Sequence, residues 1–442
     1  MSSTGSLRRT ERGSAGADTL PASRVATVIA AILITAVIVS FRPFQPAGAE
    51  VTAEGGGDIV NQIGFSVLGG LALFSLLTYA NPRVISVFFS PWWLLLLAFA
   101  GLSVLNAADP AAASRAAFFT VIGIVAIVAV LALPRDADAF SAVLVFAGTI
   151  VIVTSYIGLV LLPDIAIHTT DSAEPEHAGL WRGVFAHKNI AGPVMSCFSF
   201  AGLYLFRRGW RGSGTFLLIA AMIFMVNTGS KTTAALVPLT FAIVVLPGLI
   251  GMRQLTVMLF VFAMAGTGLA TLGIVFIEPL KEFAQTYFPD LTYTGRTTLW
   301  EFGGEMLAKQ PWSGYGYESF WGSKMLLETD QPFDRPCDIR TVVHGHNGYL
   351  DVALTMGIPA LFVALFTMLV EPLRDYMRIP HLKENIFLGD FFMMVLLFTA
   401  LNAFLESFFF RRADPVWMFL VMGVLGLRLV ARIPIRTSAS SG

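Results

Sequence analysis

A histidine and a scattered set of cations are the residues of this chain best suited to chemistry. The run His344-Gly345-His346-Asn347-Gly348-Tyr349-Leu350-Asp351 lies late in a long polar interval from Leu291 to Leu361. His346 is the candidate proton acceptor, because an imidazole can be both neutral and basic near neutral pH. Asp351 could orient a ring or pair with a cation, and His344 and His187 carry no assigned role. Arg182, Lys188, Lys231 and Arg296 stand at the ends of apolar segments or between them, a setting suited to a diphosphate. Asn189 and Asn347 begin apolar segments, and both are residue types that cap helices. Exposed N–H groups and the helix dipole make such ends attractive to anions. Arg411 joins this binding set with Lys188, Asn189, Lys231 and Asn347. Snorkelling to lipid headgroups is the alternative for each cation, and it is strongest for Arg411-Arg412 beside three phenylalanines.

Metal chemistry finds less support. His344 and His346 are half of a metal site, but no external carboxylates at ligand spacing accompany them. Asp330, Asp334 and Asp338 read as a solvated acidic run, and Asp136-Ala137-Asp138 falls on the opposite side. No glycine-rich nucleotide loop of the Walker type occurs. The expectation is no metal and no cofactor.

The elements that must position these residues are apolar. Hydrophobic residues make up 55% of the 442 and charged residues 13%, against about 25% charged in soluble domains. Zero formal net charge leaves no footprint for nucleic acid. Cys197 and Cys337 lie in unlike environments, so a bridge between them is not expected. Windows of roughly 20 apolar residues give about twelve segments, near 24–42, 60–80, 91–107, 115–133, 139–163, 189–207, 214–229, 232–251, 255–277, 346–370, 386–407 and 414–431. The boundary at Thr228-Gly229-Ser230-Lys231 could instead be a kink within one long helix.

The predicted fold is all-α and polytopic, with a long external loop between spans nine and ten. Residues 1–23 and 432–442 are cytoplasmic tails, 24–277 hold spans one to nine, 278–345 the loop and 346–431 the last three spans. The 24–42 segment is read as a retained helix, since no convincing cleavage site follows it. Basic residues outside the long loop favour a cytoplasmic N-terminus. That orientation puts Arg182 to Asn189, the Gly229-Ser230-Lys231 turn, the long loop and Glu406 to Arg412 together on the outer side. Trp92, Trp93, Trp210 and Trp417 read as an interfacial belt. His168, His177 and His381 read as exposed loop residues, and Asp390 as interfacial.

In order, spacing and side, several motifs resemble the O-antigen ligase/polymerase superfamily of bacterial envelopes. They are Arg182 to Asn189, the Gly-Ser-Lys turn, Gly295-Arg296, Pro311 to Gly316, His346 to Leu350 and Gly357-Ile358-Pro359. The chain looks most like the rhizobial exopolysaccharide polymerases. The resemblance implies a multi-pass inner-membrane glycosyltransferase with a periplasmic catalytic loop, using no nucleotide sugar and no metal. It implies an undecaprenyl-diphosphate-linked oligosaccharide as donor, in contact with membrane lipid, and chain-length regulator and export proteins as partners. By motif position it makes Arg182 and Arg296 diphosphate-binding residues of the catalytic set and His346 the base. Lys231 stands where many relatives have Arg, and a point charge lacks the bidentate guanidinium fork.

The expected reaction is polymerisation of lipid-linked repeat units by inverting transfer. Ligation of finished glycan to lipid A core or protein uses the same site with another acceptor. A lipid-linked glycan transporter is the other class, but charges here gather at one face and not at midplane.

Overall fold

The computed structural model describes residues 19–45, 58–170, 175–287, 293, 295–328 and 338–436. Most of the N-terminal tail, Asp330, Asp334 and Cys337 lie outside these residues. Among the described residues the regular secondary structure is helical, apart from an isolated antiparallel bridge between Ile167 and Trp181.

The principal helices are α1 (Thr19–Val39), α2 (Ile59–Tyr79), α3 (Pro91–Leu105), α4 (Pro110–Ala132), α5 (Ala137–Leu161), α6 (Lys188–Arg207), α7 (Arg211–Asn227) and α8 (Lys231–Leu249). They continue with α9 (Arg253–Phe276), α10 (Glu278–Tyr287), α11 (Arg296–Lys309), α12 (Gly348–Met356), α13 (Ile358–Leu365), α14 (Glu371–Arg378), α15 (Lys383–Asn402) and α16 (Pro415–Arg432). Several starts follow from local sequence. Asp109 and Asp414 each accept two backbone N–H groups ahead of a proline in the first turn, and Asp136 caps α5 in the same way. Such caps satisfy N–H groups that have no partner within the helix.

Eight of these helices are long and apolar enough to cross a membrane: α2, α4, α5, α6, α8, α9, α15 and α16. Three shorter apolar helices, Arg24–Val39, Pro91–Leu105 and Arg211–Asn227, match three more of the expected segments. Gly229, with φ +63°, separates α7 from α8, so this pair is two helices and not one kinked span. The expectation of one continuous helix over 346–370 is corrected. Gly357, at φ 87° and ψ 166°, breaks it between α12 and α13, and a π turn at Phe366–Val370 then leads into α14. The loop around Pro311–Gly316 fits into the break. Tyr315 and Gly316 donate to the carbonyls of Leu354 and Thr355, and Ile358 donates to Pro311. The loop thus satisfies backbone groups that a straight helix would pair internally. Hydropathy alone has no sensitivity to this arrangement.

Helices α6, α15 and α16 form the centre, with about four-fifths of each apolar window buried, whereas α9 has 17% buried. The antiparallel α6–α7 pair approaches closely through Gly202 and Gly214, where an added Cβ would strike the facing backbone. Small residues give this close contact between apolar helices, where shape complementarity replaces the hydrophobic drive.

The two ends of the bundle differ. At one end Arg208 binds Asp138 (2.9 Å), Glu384 (2.6 Å) and the Ser141 hydroxyl. Arg207 meets Asp390 (2.7 Å), Arg428 contacts Glu371, and Arg432 pairs with Asp375. Asp390 is buried within this network, accepting also from the Tyr376 hydroxyl. At the other end lie the chain segments around residues 40–45, 162–170, 175–189, 227–231, 295–328, 338–357 and 403–414. Trp93 and Trp417 are core residues and not members of an interfacial belt, whereas Trp92 is exposed.

Candidate active site

Three chain segments meet around one carboxylate at this second end. Glu406, in the short connection between α15 and α16, accepts from Arg296 Nη2 at 2.7 Å and from Asn189 Nδ2 at 3.0 Å, both on Oε1. Its Oε2 lies 3.3 Å from His346 Nδ1, and Arg296 Nη2 is 3.5 Å from the same nitrogen. The side chains of Arg296, His346 and Glu406 are 19, 28 and 15% exposed. The cluster is therefore enclosed yet reachable. Burial pushes the Glu406 carboxyl up, but the His346 hydrogen bond and the Arg296 and His187 charges outweigh it, leaving the group below the usual range.

Each member is held by its own element. Gly295, in the left-handed region at φ 88°, turns the chain so that Arg296 begins α11. His346 also has a left-handed backbone, φ 49°, which costs a non-glycine residue about 1–2 kcal/mol. Its neighbours hold it there. Gly345 donates to Asp351 Oδ2 (3.1 Å) and accepts from the buried Trp300 indole (3.0 Å). Asn347 donates its backbone N–H to Ser407 Oγ (2.9 Å) and its amide to the Phe404 carbonyl (3.0 Å). Asn347 caps α12 as expected, accepting from the Leu350 N–H at 3.0 Å. Asp351 also accepts from the Trp321 indole at 2.7 Å, so its carboxylate ties the histidine loop to the preceding polar segment.

His344 packs edge-on against His346, ring centroids 4.1 Å apart. Burial, and then the field of His346, Arg411, Arg296 and His187, holds its imidazole well below the ordinary value. Arg411 donates to the Ser407 carbonyl at 3.4 Å and acts electrostatically on His344 and Asp351, whereas Arg412 is exposed and pairs with Glu318 at 3.1 Å. The two arginines of that pair therefore face different surroundings. Tyr317, almost fully buried, fixes the connection by bonding Thr120 Oγ1 (2.8 Å) and the Phe410 carbonyl.

The remaining predicted residues are placed as follows. His187, not Asn189, caps α6, its Nδ1 accepting from the Asn189 N–H at 3.1 Å. Asn189 turns instead to Glu406. Lys188 is buried at 8% exposure, beside His168, whose Nε2 accepts the Lys188 N–H. Arg182 is 2% exposed, and its Nη1 donates to the Gln45 and Ala186 carbonyls at 2.8 Å each. Lys231 is exposed on the first turn of α8 and makes no hydrogen bond or ion pair with the Glu406 cluster among the described residues. His168 is a buried residue and not an exposed loop residue. Its ring packs with those of His177 and His187 at 5.7 and 4.9 Å. Among the described residues no group of His, Cys, Asp and Glu is arranged to hold a metal ion.

Sequence reasoning missed Glu406 as a site residue. The available signal was a carboxylate with no capping position to fill, in a short connection on the face where the cations gather.

The geometry gives an apolar helical bundle with Arg296, His346, Glu406 and Asn189 together at one end, and sequence comparison supplies the class. Residues 190–365 match the O-antigen ligase family, a span that contains Arg296 and His346 but neither Arg182 nor Glu406. Over 198 residues the chain is 27% identical to the exopolysaccharide production protein ExoQ of Rhizobium meliloti (strain 1021), covering 41% of this chain. The matched part spans 43% of that relative's length. These two matches show the resemblance to the O-antigen ligase/polymerase superfamily, with a rhizobial exopolysaccharide relative, that the motifs carry.

Proposed function

We propose that the protein polymerises undecaprenyl-diphosphate-linked oligosaccharide repeat units into exopolysaccharide at the periplasmic face of the bacterial inner membrane. The observation that carries this reading is the convergence of Arg296, His346, Glu406 and Asn189 at one end of an apolar bundle. Glycosyl transfer from a lipid diphosphate needs an acceptor for the attacking hydroxyl's proton and a positive field for the departing diphosphate. His346 fills the first role. Arg296 fills the second, as preorganised electrostatic stabilisation of developing charge. Arg411 adds to the positive field there, buried Lys188 and exposed Lys231 complete the proposed binding set, and Arg182 acts by fixing the Trp181–His187 segment. The acceptor oxygen attacks the anomeric carbon opposite the leaving group, so the product is inverted. A diphosphate leaves readily, so the site has no need of a strong general acid or a metal. The membrane supplies the donor, and chain-length regulation and export fall to separate partners.

Ligation is the second reading, favoured by the family that residues 190–365 match. Purified protein in lipid vesicles with lipid-linked repeats distinguishes the two. A ladder of lengthening chains without a second acceptor is the expected result. A single transfer that requires lipid A core would replace the polymerase reading with ligase, and lipid translocation without any covalent product would remove both. His346→Ala should slow growth of the ladder by roughly 100-fold or more, leaving a residual rate that can still be measured.

A further inference from the structure

We infer that Glu406 is a positioning residue that holds His346 as the Nδ1–H tautomer, so that Nε2 is the nitrogen that takes the acceptor's proton. This rests on the reading of His346 as the base. Nδ1 faces two groups with opposite demands: Glu406 Oε2 at 3.3 Å, which can only accept, and Arg296 Nη2 at 3.5 Å, which can only donate. The guanidinium contact is at the limit of a hydrogen bond, and the same nitrogen makes its short 2.7 Å bond to Glu406 Oε1. A lone pair on Nδ1 would confront a carboxylate in a largely buried setting, so the proton belongs on Nδ1. A histidine's reactive nitrogen is set by the bond its other nitrogen makes.

The carboxylate is itself held. Arg296 from α11 and Asn189 from α6 both bind Oε1, leaving Oε2 for the ring. The groups touching the ring are Arg296, Glu406 and His344. His187 at the head of α6 and Arg411 from the α15–α16 connection act electrostatically on His344, and His187 also on Glu406. The next carboxylate, Asp351, is turned to the Gly345 N–H and the Trp321 indole. Glu406 is the only acid among the groups that touch the ring, so it is the group that stabilises an imidazolium there. In the transfer step the acceptor oxygen bonds to the anomeric carbon and the bond from that carbon to the diphosphate oxygen breaks, its electron pair leaving with the diphosphate. The hydroxyl proton moves to Nε2, while Nδ1–H stays on Glu406. Solvent then removes the transferred proton.

The test is Glu406→Gln in the full-length protein, assayed with lipid-linked repeats across pH. The amide keeps the shape and can accept the Nδ1–H bond, but it cannot balance an imidazolium charge. Expected are a kcat lower by roughly 100-fold or more, within the range of general-base contributions, and a displacement of the acidic limb of kcat/KM to lower pH. On a His346→Ala background the same substitution should add little, because the two residues act as a unit. Unchanged kcat and pH profile in Glu406→Gln, with His346→Ala impaired, would overturn the positioning role and leave the base in place. A fully active His346→Ala protein would remove the underlying reading instead. Loss of activity with a raised KM, an unmoved acidic limb and additive losses in the double variant is what mere loosening of the fold produces, and it too would overturn the inference. If the Gln variant does not fold, Glu406→Asp keeps the charge at a longer reach. It should retain partial activity and the wild-type acidic limb, and a displaced limb would count against the inference.

Discussion

Arg296 and His346 share one carboxylate, so substitutions that conserve charge should still be felt. Arg296→Lys keeps a cation but loses the planar fork that binds Glu406 and, on the proposed reading, would also hold the diphosphate. A fall in kcat/KM of about tenfold or more is expected, measured on lipid-linked repeats. The acid dependence of stability can also be read at this scale. His344 has a folded value well below its ordinary one. In the window below about pH 6.5 the unfolded chain therefore binds a proton that the native site refuses. Stability from this group is fully present above that pH and lost as pH falls, with a slope of at most about 1.4 kcal/mol per pH unit. Glu406, also depressed, adds its own loss only at lower pH, below its unfolded value of about 4.3. Thermal unfolding in detergent between pH 7.5 and 5 should show the first slope, and His344→Gln should flatten it. An unchanged slope would mean that His344 takes up its proton without strain.

The histidine loop depends on two elements that a hydropathy profile merges into one. Helix α12 is short, capped at its start by Asn347 and closed at its end by the loop around Pro311–Gly316. Removing the cap with Asn347→Ala should cost about 1 kcal/mol, and more through the lost bond to Phe404. Gly357 is the sharper test. Its φ of 87° lies in a region few side chains adopt, and a Cβ there would strike the Trp312 carbonyl. Gly357→Ala should destabilise by about 1–3 kcal/mol, read as a lower Tm, and should also reduce activity by displacing His346. Intact stability would show that the break between α12 and α13 tolerates a side chain.

Across the whole molecule, one end concentrates the candidate chemistry and the other concentrates ion pairs. Arg208 is 3% exposed and bound to two carboxylates from α5 and α15. Breaking such a buried network typically costs about 3–5 kcal/mol. Arg208→Ala should therefore lower the yield of folded protein while the folded fraction keeps its KM for donor. Orientation is tested separately on a Cys197→Ser/Cys337→Ser background. Lys324→Cys, exposed three residues beyond the Trp321 that binds Asp351, should react with a membrane-impermeant maleimide from outside spheroplasts, and the exposed Arg211→Cys beside the Arg207–Arg208 ion pairs should not. The reverse pattern would place the site in the cytoplasm.

Most of the apolar segments and the Asn347 cap were legible in the sequence, although twelve expected spans became eight long helices, three shorter ones and a segment broken at Gly357. Each is local, or follows from the length of chain needed to cross an apolar layer. The assembly of Glu406 was not local. Its partners lie 60, 110 and 217 residues away in the chain, and a lone acid in a short connection reads alike whether solvated or paired. The same holds for Arg182, whose carbonyl partner at Gln45 is 137 residues distant, and for the break at Gly357, which needs the Pro311–Gly316 loop to complete it. Apolar periodicity determines which residues enter the bilayer; the packing of loops across helix ends decides which polar groups meet, and only the tertiary structure carries that information.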